Sequence, residues 1–197
     1  EMSTYIPGQD DYPVGGVSSY EAAAFAHGAG KSLPTIYHWA RAADLRLSAH
    51  VVPASNSDGK SLRTVGTTGG ITRAGTTDMA GNVKEWVSNS TGSKRYILGG
   101  AWNEPVYMFT NWDVQSPFTR RLNSGFRCIK VDRPEDLSPA LTAIIHTPTR
   151  NVRNMKPVSS VIFEAWRSLY SFDHGDLKVQ AEFVDDTSPD WRVEKVS

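Results

Sequence analysis

Cysteine and histidine, the residue types that most often hold transition metals or carry thiol chemistry, offer little in this chain. There is a single cysteine, Cys128, so an intramolecular disulfide and a thiolate-rich metal site are both excluded. The five histidines show no spacing typical of metal ligands, and surface or packing roles are expected for them. The other candidate groups considered below are carboxylates, arginines, backbone oxygens and aromatic rings.

One run, residues 28–32, has the Gly-Lys-Ser sequence that ends a phosphate-binding loop. Phe25 occupies the position of the first glycine of that motif, and the run ends a predicted helix where the motif would open one. We therefore interpret these residues as a helix cap. The pair Ser18-Ser19 also lacks the Gly-x-Ser-x-Gly elbow of serine hydrolases, so the sequence does not indicate a serine hydrolase.

Three arginines, Arg120, Arg121 and Arg127, have the forked guanidinium that binds a carboxylate or a phosphate through two parallel hydrogen bonds. For Arg127 we favour a salt bridge inside the protein over contact with a ligand. Two carboxylates, Glu104 and Asp113, are candidates for acid–base chemistry, which would require a concave site and a carboxyl group of raised pKa.

The composition excludes several classes of partner. Lys and Arg total 21, as do Asp and Glu, so the net charge is zero and no basic surface for nucleic acid is indicated. No apolar run approaches the length of a membrane span, and residues 1–5 do not resemble a signal peptide. We interpret both ends as cuts from a longer polypeptide, so a cytoplasmic or a periplasmic location stays open.

The elements that must position these residues are short. Alanine-rich residues 20–27 predict a helix capped by Ser18 or Ser19, and residues 34–47 predict a second helix with apolar positions at helical spacing. Residues 53–77 are rich in Ser, Thr, Gly and Asn and predict an ordered loop. Short strands are predicted at residues 85–87, 96–98 and 126–131.

The C-terminal part differs in character. Residues 132–156 are polar and dotted with proline, which indicates a linker or a surface wrap. Apolar residues from Val158 to Leu169 recur at helical spacing and predict an amphipathic helix. Alternating residues 177–183, a turn, and residues 191–196 predict a β-hairpin after it. We divide the chain into residues 1–131, 132–156 and 157–197.

Glycine and tryptophan signatures recur in a fixed order through the first part. They are Tyr12-Pro13-Val14 with residues 17–25, Gly30 to Thr35 with Trp39, Asp78 to Trp86, Gly99 to Trp102, and Gly125 to Cys128. The region from Tyr12 to Val131 resembles the formylglycine-generating enzyme, or sulfatase-modifying factor, family. The resemblance implies an α+β, loop-rich, modified C-type-lectin-like fold, to which the C-terminal helix and hairpin would be an appendage.

The resemblance also shows what this chain lacks. Active members carry two cysteines shortly after Gly-Gly-Ser-Trp, and these thiols bind copper(I) and oxidise a substrate cysteine. Here Glu104 and Phe109 stand at those positions by counting. Copper(I) prefers soft thiolate ligands, so no copper and no formylglycine chemistry are expected. Cys128 belongs to the Gly-Phe-Arg-Cys element, which is structural in the family.

The family's calcium sites are a further implication of the resemblance. Calcium takes oxygen ligands, and one site would use backbone oxygens around Gly81 and the Glu85 carboxylate. Its full ligand set would be Ala80, Gly81, Val83 and Glu85. The alternative is that Glu85 accepts hydrogen bonds from loop N–H groups with no metal. A second site would lie in the 55–78 loop, with Asn56 and Asp58 as candidates.

Three hypotheses for the function follow. The leading one is a catalytically degenerate domain that binds or senses a small ligand or peptide. Its groove would be lined by Trp102, Glu104, Tyr107, Phe109 and Trp112, of which Phe109 and Trp112 are expected to be exposed. The second is an enzyme that uses Glu104 or Asp113, and the third is a structural spacer.

Sequence details such as Lys84 resemble those of a bacterial subgroup of the family. In that subgroup the domain is fused to a serine/threonine protein kinase and to an α/β-hydrolase-like region.

Overall fold

The computed structural model describes residues 7–133, 138–146 and 152–170. The chain divides into two compact units, Glu1–Pro148 and Thr149–Ser197. The first unit contains the sheet and most of the helices, and its elements place the candidate site. In the described parts of both units, the apolar helices are too short to cross a membrane.

The first unit is organised around a four-stranded mixed sheet with the strand order β3-β2-β1-β4. Its strands are β1 Lys84–Thr91, β2 Lys94–Leu98, β3 Asp113–Gln115 and β4 Ser124–Phe126. Strand β1 pairs antiparallel with β2 and parallel with β4, while β3 lies antiparallel to β2. Because β1 is central, the Asp78–Trp86 signature leads into the middle of the sheet.

The sequence predicts these strands unevenly. Strands β1 and β2 include the predicted residues 85–87 and 96–98, whereas β3 is not predicted. The predicted strand at 126–131 is wrong in extent, because β4 ends at Phe126. Beyond it, Ile129 forms only an isolated bridge with Ser32. The residues after Phe126 that were predicted to extend the strand therefore lie outside the sheet.

Helix α1, Ser19–Gly28, begins where the sequence places its cap. The Ser18 hydroxyl accepts a hydrogen bond from the Glu21 N–H at 3.3 Å, and the Ser18 N–H donates to the Glu21 carboxylate at 2.8 Å. This reciprocal capping box satisfies two N–H groups at the start of the helix. The Arg120 guanidinium also donates to Glu21, and it lowers the pKa of that carboxyl to about 2, with help from Ser18.

Removal of the cap gives a first test of the fold. Ser18→Ala is expected to lower the free energy of unfolding by about 1 kcal/mol, because the Glu21 N–H loses its acceptor at the buried start of α1. Chemical denaturation followed by circular dichroism measures this loss. Ser61→Ala, at an exposed position, is the control and should leave the midpoint unchanged. Equal effects of the two variants would contradict the assigned cap.

Helix α2, Ile36–Ala43, ends four residues earlier than predicted. Asp44 adopts a left-handed conformation with φ of 44°, which stops the regular helix. The chain then continues as a 3₁₀ turn at Leu45–Leu47, helix α3 at Ser48–Val51 and a second 3₁₀ turn at Val52–Ala54. The apolar spacing persists through these turns, which is why it suggested a single longer helix.

Two hydrophobic clusters lie on opposite faces of β1. One contains Trp39 of α2 with Val87, and the other contains Ala22 and Ala26 of α1 with Trp86. Successive residues of a strand point to opposite faces, so neighbours Trp86 and Val87 enter different clusters. The sheet is thus covered by one helix on each side, and its central strand is buried between them.

The Gly-Asn turn before β1 is packed tightly against the 53–77 loop. Gly81 has φ of 72°, and a Cβ on it would overlap the backbone oxygen of Asn56. Asn82 then donates its N–H to that same oxygen at 2.8 Å. Its side-chain oxygen accepts from the Arg63 N–H at 3.0 Å. A glycine is required here because both the conformation and the close approach exclude a side chain.

The segment after residue 131 contacts the first unit where the structure describes it. Helix α4, Pro139–Thr142, follows a cap at Ser138. The Asn89 side chain donates to the Leu141 oxygen at 2.8 Å, and the Ile145 N–H donates to the Ser90 oxygen at 2.9 Å. These contacts join the segment to β1, and whether residues 132–156 serve as a linker or a surface wrap stays a prediction. Where the domains of the whole protein begin and end stays a prediction.

The second unit contains a 3₁₀ turn at Val152–Asn154 and helix α5, Ser160–Tyr170. The helix begins after Ser159, whose hydroxyl accepts from the Ile162 N–H at 3.4 Å. It matches the helix that the apolar spacing predicts from Val158 onward. The hairpin predicted at residues 177–183 and 191–196 lies outside the described residues.

Candidate functional site: a buried lysine with two carboxylates

A buried lysine lies where the two carboxylates of interest meet. Lys84, the first residue of β1, is only 2% exposed. Its ammonium donates to Glu104 Oε1 at 2.7 Å and to Asp113 Oδ2 at 2.8 Å. The two carboxylates come from different places, Asp113 from β3 and Glu104 from the loop after Gly99 and Gly100. The sheet therefore assembles a compact ionic group of one positive and two negative charges.

The charges of this group fix its protonation state. Burial alone would raise the pKa of the Asp113 carboxyl. Hydrogen bonds from Lys84 and Gln115, with the lysine's charge, outweigh burial and hold the pKa below its ordinary value. Asp113 is thus a stable anion at neutral pH. The prediction of a carboxyl with raised pKa is wrong for Asp113.

Several polar atoms around the ionic group have no partner within the described part of the chain. They are Trp102 Nε1, Glu104 Oε2, Gln115 Oε1 and Ser124 Oγ, all buried. Unpaired buried polar atoms are rare in native proteins, since each costs free energy. Four of them around one ion-pair group indicate a place where polar groups from another molecule, or water, can be received.

The five residues predicted to line a groove occupy three different environments. Tyr107 is 64% exposed and Trp112 is 46% exposed, whereas Trp102 is half-buried. Phe109 is only 2% exposed, and its ring packs edge-on against Trp39, with 6.1 Å between the centroids. The expectation that Phe109 is exposed is therefore wrong, because the 3₁₀ turn Val106–Phe109 directs it into the core.

Trp112 keeps the exposure that the sequence predicts for it. Its ring lies edge-on to the buried Tyr96, with 6.2 Å between the centroids, so its position is fixed by the sheet. It immediately precedes Asp113 of the ionic group. An exposed indole on a rigid support is well suited to contact a ligand.

A second ionic group lies on the other face of β1. Glu85 is 4% exposed, and its carboxylate accepts from Arg127 through two bonds of 2.6 and 2.7 Å. The indole N–H of Trp39 also donates to this carboxylate, at 2.7 Å. The internal salt bridge favoured for Arg127 is thus present, and it ties the Asn-Val-Lys-Glu-Trp run to the Gly-Phe-Arg-Cys run.

The Glu85 carboxylate does not fit the calcium site that the resemblance implies. Both of its oxygens already face the positive guanidinium of Arg127, which would repel a bound cation. The metal-free alternative named loop N–H groups as donors to this carboxylate, whereas the donors observed are the side chains of Arg127 and Trp39. Among the described residues, no three His, Cys, Asp or Glu side chains are grouped as metal ligands. Whether Ala80, Gly81 and Val83 bind calcium through other partners stays a prediction.

The two candidates for the second calcium site, Asn56 and Asp58, already form hydrogen bonds within the protein. Asp58 accepts from Arg63 at 2.7 Å, and the Lys60 N–H, with Arg63, lowers the pKa of its carboxyl. Asn56 is buried, and its side-chain amide donates to the Ser61 oxygen at 2.9 Å. The Asn56 side-chain oxygen has no partner in the described part of the chain.

Cys128 has the environment of a structural thiol. It packs against the cluster that contains Trp86 and Leu33. Burial raises the pKa of the thiol, although the nearby charge of Lys31 acts in the opposite direction. A thiol kept protonated is a poor nucleophile and a poor metal ligand. This supports a structural role for the one thiol of the chain.

Sequence reasoning missed Lys84 and Gln115 as members of the site. A signal for Lys84 exists, because it alternates with Trp86 in a strand and must therefore point to the same face as that buried indole. A lysine at such a position needs a negative partner. Gln115 gives no comparable signal, since β3 has only three residues.

Comparisons with known proteins agree with this architecture. A family model described as "Sulfatase-modifying factor enzyme 1-like domain" matches residues 1–131. The structure is similar to variable protein 1 of Treponema denticola, with 18% identity and a TM-score of 0.51 over 61% of this chain and 72% of that one. It is also similar to CarF, with 21% identity and a TM-score of 0.53 over 63% and 70%.

No curated protein sequence matches the chain. The two structural similarities have low identity and support the fold alone. The family match covers two thirds of the chain and includes the turn, the ionic groups and all four strands. The mixed sheet with a few helices is consistent with the α+β fold that the family resemblance implies. This chain therefore belongs to the family of sulfatase-modifying factor enzyme 1-like domains.

Proposed function

We propose that this domain is a non-catalytic binding module of a larger bacterial protein. The carrying observation is the ionic group of Lys84, Glu104 and Asp113. Glu104 stands at the position of the first thiol of active relatives, and its carboxylate is used to neutralise a buried lysine. Phe109 stands at the position of the second thiol and is part of the core. Neither residue can hold copper(I) or exchange electrons with a substrate thiol.

The ligand surface that we propose consists of the exposed rings of Tyr107 and Trp112, and its ligand would also reach the buried polar atoms of Trp102, Glu104 and Gln115. Aromatic rings at such places supply most of the binding free energy in many interfaces. The unpaired indole N–H of Trp102 needs an acceptor, while the unpaired oxygens of Glu104 and Gln115 need donors. A peptide offers both, since its backbone carries an N–H and a C=O in every residue except proline.

The competing enzyme hypothesis has less support. Asp113 is held as an anion, and Glu104 and Asp113 are both bound to the same ammonium. A general acid needs a proton to give, and a general base needs a free lone pair near the substrate. Asp113 has no proton to give as a general acid, and its carboxylate is occupied by Lys84 and Gln115 instead of being free to act as a general base. The spacer hypothesis remains as the outcome in which no ligand is found.

The context that we propose is a fusion to a serine/threonine protein kinase, in which the module would sense a ligand for its neighbours. Its support is the resemblance of three local sequences to the kinase-linked subgroup. They are the Asn-Val-Lys-Glu-Trp run, Gly-Gly-Ala-Trp-Asn, and Tyr107-Met108-Phe109. The first of these supplies Lys84, so the same residue that distinguishes the subgroup also forms the ionic group. Sequencing of the gene on both sides of this segment tests the proposed fusion.

Selection from a library of random peptides displayed on phage tests the binding function. We expect Trp112→Ala and Tyr107→Ala each to weaken a selected peptide about tenfold or more in isothermal titration calorimetry. Phe118→Ala is the matched control, because Phe118 is 72% exposed and packs against Tyr20 instead of the ionic group. Peptides that bind all three variants equally would contradict the proposed surface, and copper-dependent oxidation of a thiol peptide would overturn the function.

A further inference from the structure

A second concave site lies in the first unit and shares no residue with the ionic group of Lys84. It is a cavity of about 460 Å³. Helix α1, the turn that follows it, the start of α2 and the paired strands β1 and β2 form its sides. Its volume falls within the range of small-molecule sites, about 300–1,000 Å³. Nothing in the proposed peptide-binding surface accounts for this cavity.

The charged side chains that line this cavity are all basic. Lys31 and Arg95 carry permanent charge, and the lining includes no carboxylate. Neither Lys31 nor Arg95 forms a salt bridge within the described ranges. In a chain of zero net charge, two cations without a salt-bridge partner in the described ranges thus line one cavity. Such a site concentrates anions, because the low-dielectric walls reduce screening.

The guanidinium of Arg95 is held in place by one of its own bonds. Arg95 Nη1 donates to the Ser88 backbone oxygen at 2.7 Å, which anchors the planar group to β1. An anchored guanidinium loses less conformational entropy when it binds an oxyanion. The Ser88 hydroxyl also lines the cavity, is buried, and has no partner in the described part of the chain. It is therefore available to donate to an anion beside Arg95.

Much of the remaining lining is apolar, although Ser19, Ser32, Thr35 and Thr142 also line the cavity. Four larger apolar or aromatic side chains line it, those of Tyr20, Leu33, Ile129 and Val131. A small inorganic anion would leave most of this apolar surface without contact. An anion that carries an apolar or aromatic body would cover it and gain the free energy of its burial.

We propose that this cavity binds a phosphate monoester with an apolar or aromatic body. A phosphate monoester carries a charge of about −1.5 to −2 at neutral pH, which matches the two permanent cations better than a carboxylate does. Its three terminal oxygens can accept bonds from the Arg95 fork, from Lys31 and from the Ser88 hydroxyl. This assignment is independent of the peptide-binding function, because the two sites have no residue in common.

Phenyl phosphate is the probe for this proposal, titrated calorimetrically into the full chain at low salt. We expect saturable binding that weakens as salt is added, with inorganic phosphate and benzoate weaker and phenol without measurable binding. A phosphotyrosine peptide, compared with free phosphotyrosine, tells whether the natural source is a protein or a metabolite. Equal binding of phenol and phenyl phosphate, or no binding of phenyl phosphate at millimolar concentration, would overturn the proposal.

Variants locate the binding to the cavity. Lys31→Gln and Arg95→Gln should each weaken phenyl phosphate about tenfold, since each removes one charged hydrogen-bond donor. Lys94→Gln is the matched control, because Lys94 is exposed, adjoins Arg95 in sequence and lies outside the lining. Arg95→Lys keeps the charge and loses the fork, so it should fold and bind with intermediate affinity. An equal loss in Lys94→Gln and Lys31→Gln would show general electrostatic attraction and refute the site.

Discussion

Replacement of Lys84 by methionine is expected to lower the free energy of unfolding by about 3 kcal/mol, at the lower end of the range for one partner of a buried ion pair. Methionine keeps the unbranched apolar stem of lysine but leaves Glu104 and Asp113 without their shared cation. Both carboxylates are mostly buried, so water compensates little for the loss. In a chain of this size the melting temperature should fall by about 5–10 °C.

The pH dependence of this loss distinguishes the ionic group from simple packing. In the native protein the pKa of Asp113 lies below its ordinary value, so its contribution to stability is present at neutral pH and is lost as the pH falls through that lowered pKa. In Lys84→Met this contribution is absent, and the carboxylates accept protons more readily. The difference between the two proteins should therefore be largest at pH 7 and shrink below about pH 4.

Two further variants control this prediction. Adding Glu104→Gln and Asp113→Asn to Lys84→Met removes the uncompensated charges and should recover part of the stability. Lys60→Met, at an exposed position, should change the melting temperature little. A loss in Lys84→Met that is the same at pH 3 and pH 7 would mean that the lysine acts only through its packing.

The positions of helices and strands could be predicted where residues close together in the sequence determine them. The capping box of α1 depends on Ser18 and Glu21, three residues apart, and the central strands follow buried residues that flank Lys84. Strand β3 was not predictable, because its three residues pair with β2 through contacts that local sequence does not encode. The end of α2 escaped prediction for a related reason. Asp44 adopts a left-handed conformation while the apolar spacing continues.

The candidate site shows the same division. The loss of both thiols can be read from positions 104 and 109, and Trp112 was expected to be exposed because it lies near the position of the former thiols. What replaced the thiols depends on a contact between Lys84 and residues about 20 and 29 positions away. Such contacts are set by the sheet register. The burial of Phe109 has the same origin, since its partner Trp39 lies in a different element.

Substitution of Glu85 by glutamine is expected to cost about 3–5 kcal/mol, the largest effect of any single change considered. Three donor bonds converge on this carboxylate, two from Arg127 and one from Trp39. Glutamine offers one oxygen and turns its NH₂ toward another donor, so Arg127 loses its counter-charge in a mostly buried place. Urea denaturation in the presence of a calcium chelator measures the loss without any contribution from metal.

Glu21→Gln is the matched control, because Glu21 also binds an arginine through two bonds, yet its side chain is 48% exposed. Water screens such a pair, so the control should lose much less stability.

Repeating both measurements in millimolar calcium then separates the two possible roles of Glu85, as a partner of Arg127 and as a calcium ligand. If Glu85 serves Arg127 and Trp39, its substitution costs the same with calcium and with chelator. A calcium-induced rise in melting temperature that vanishes in Glu85→Gln would instead identify the carboxylate as an ion ligand. A rise that Glu85→Gln retains would place the ion on other oxygens, with the unpaired side-chain oxygen of Asn56 as the first candidate.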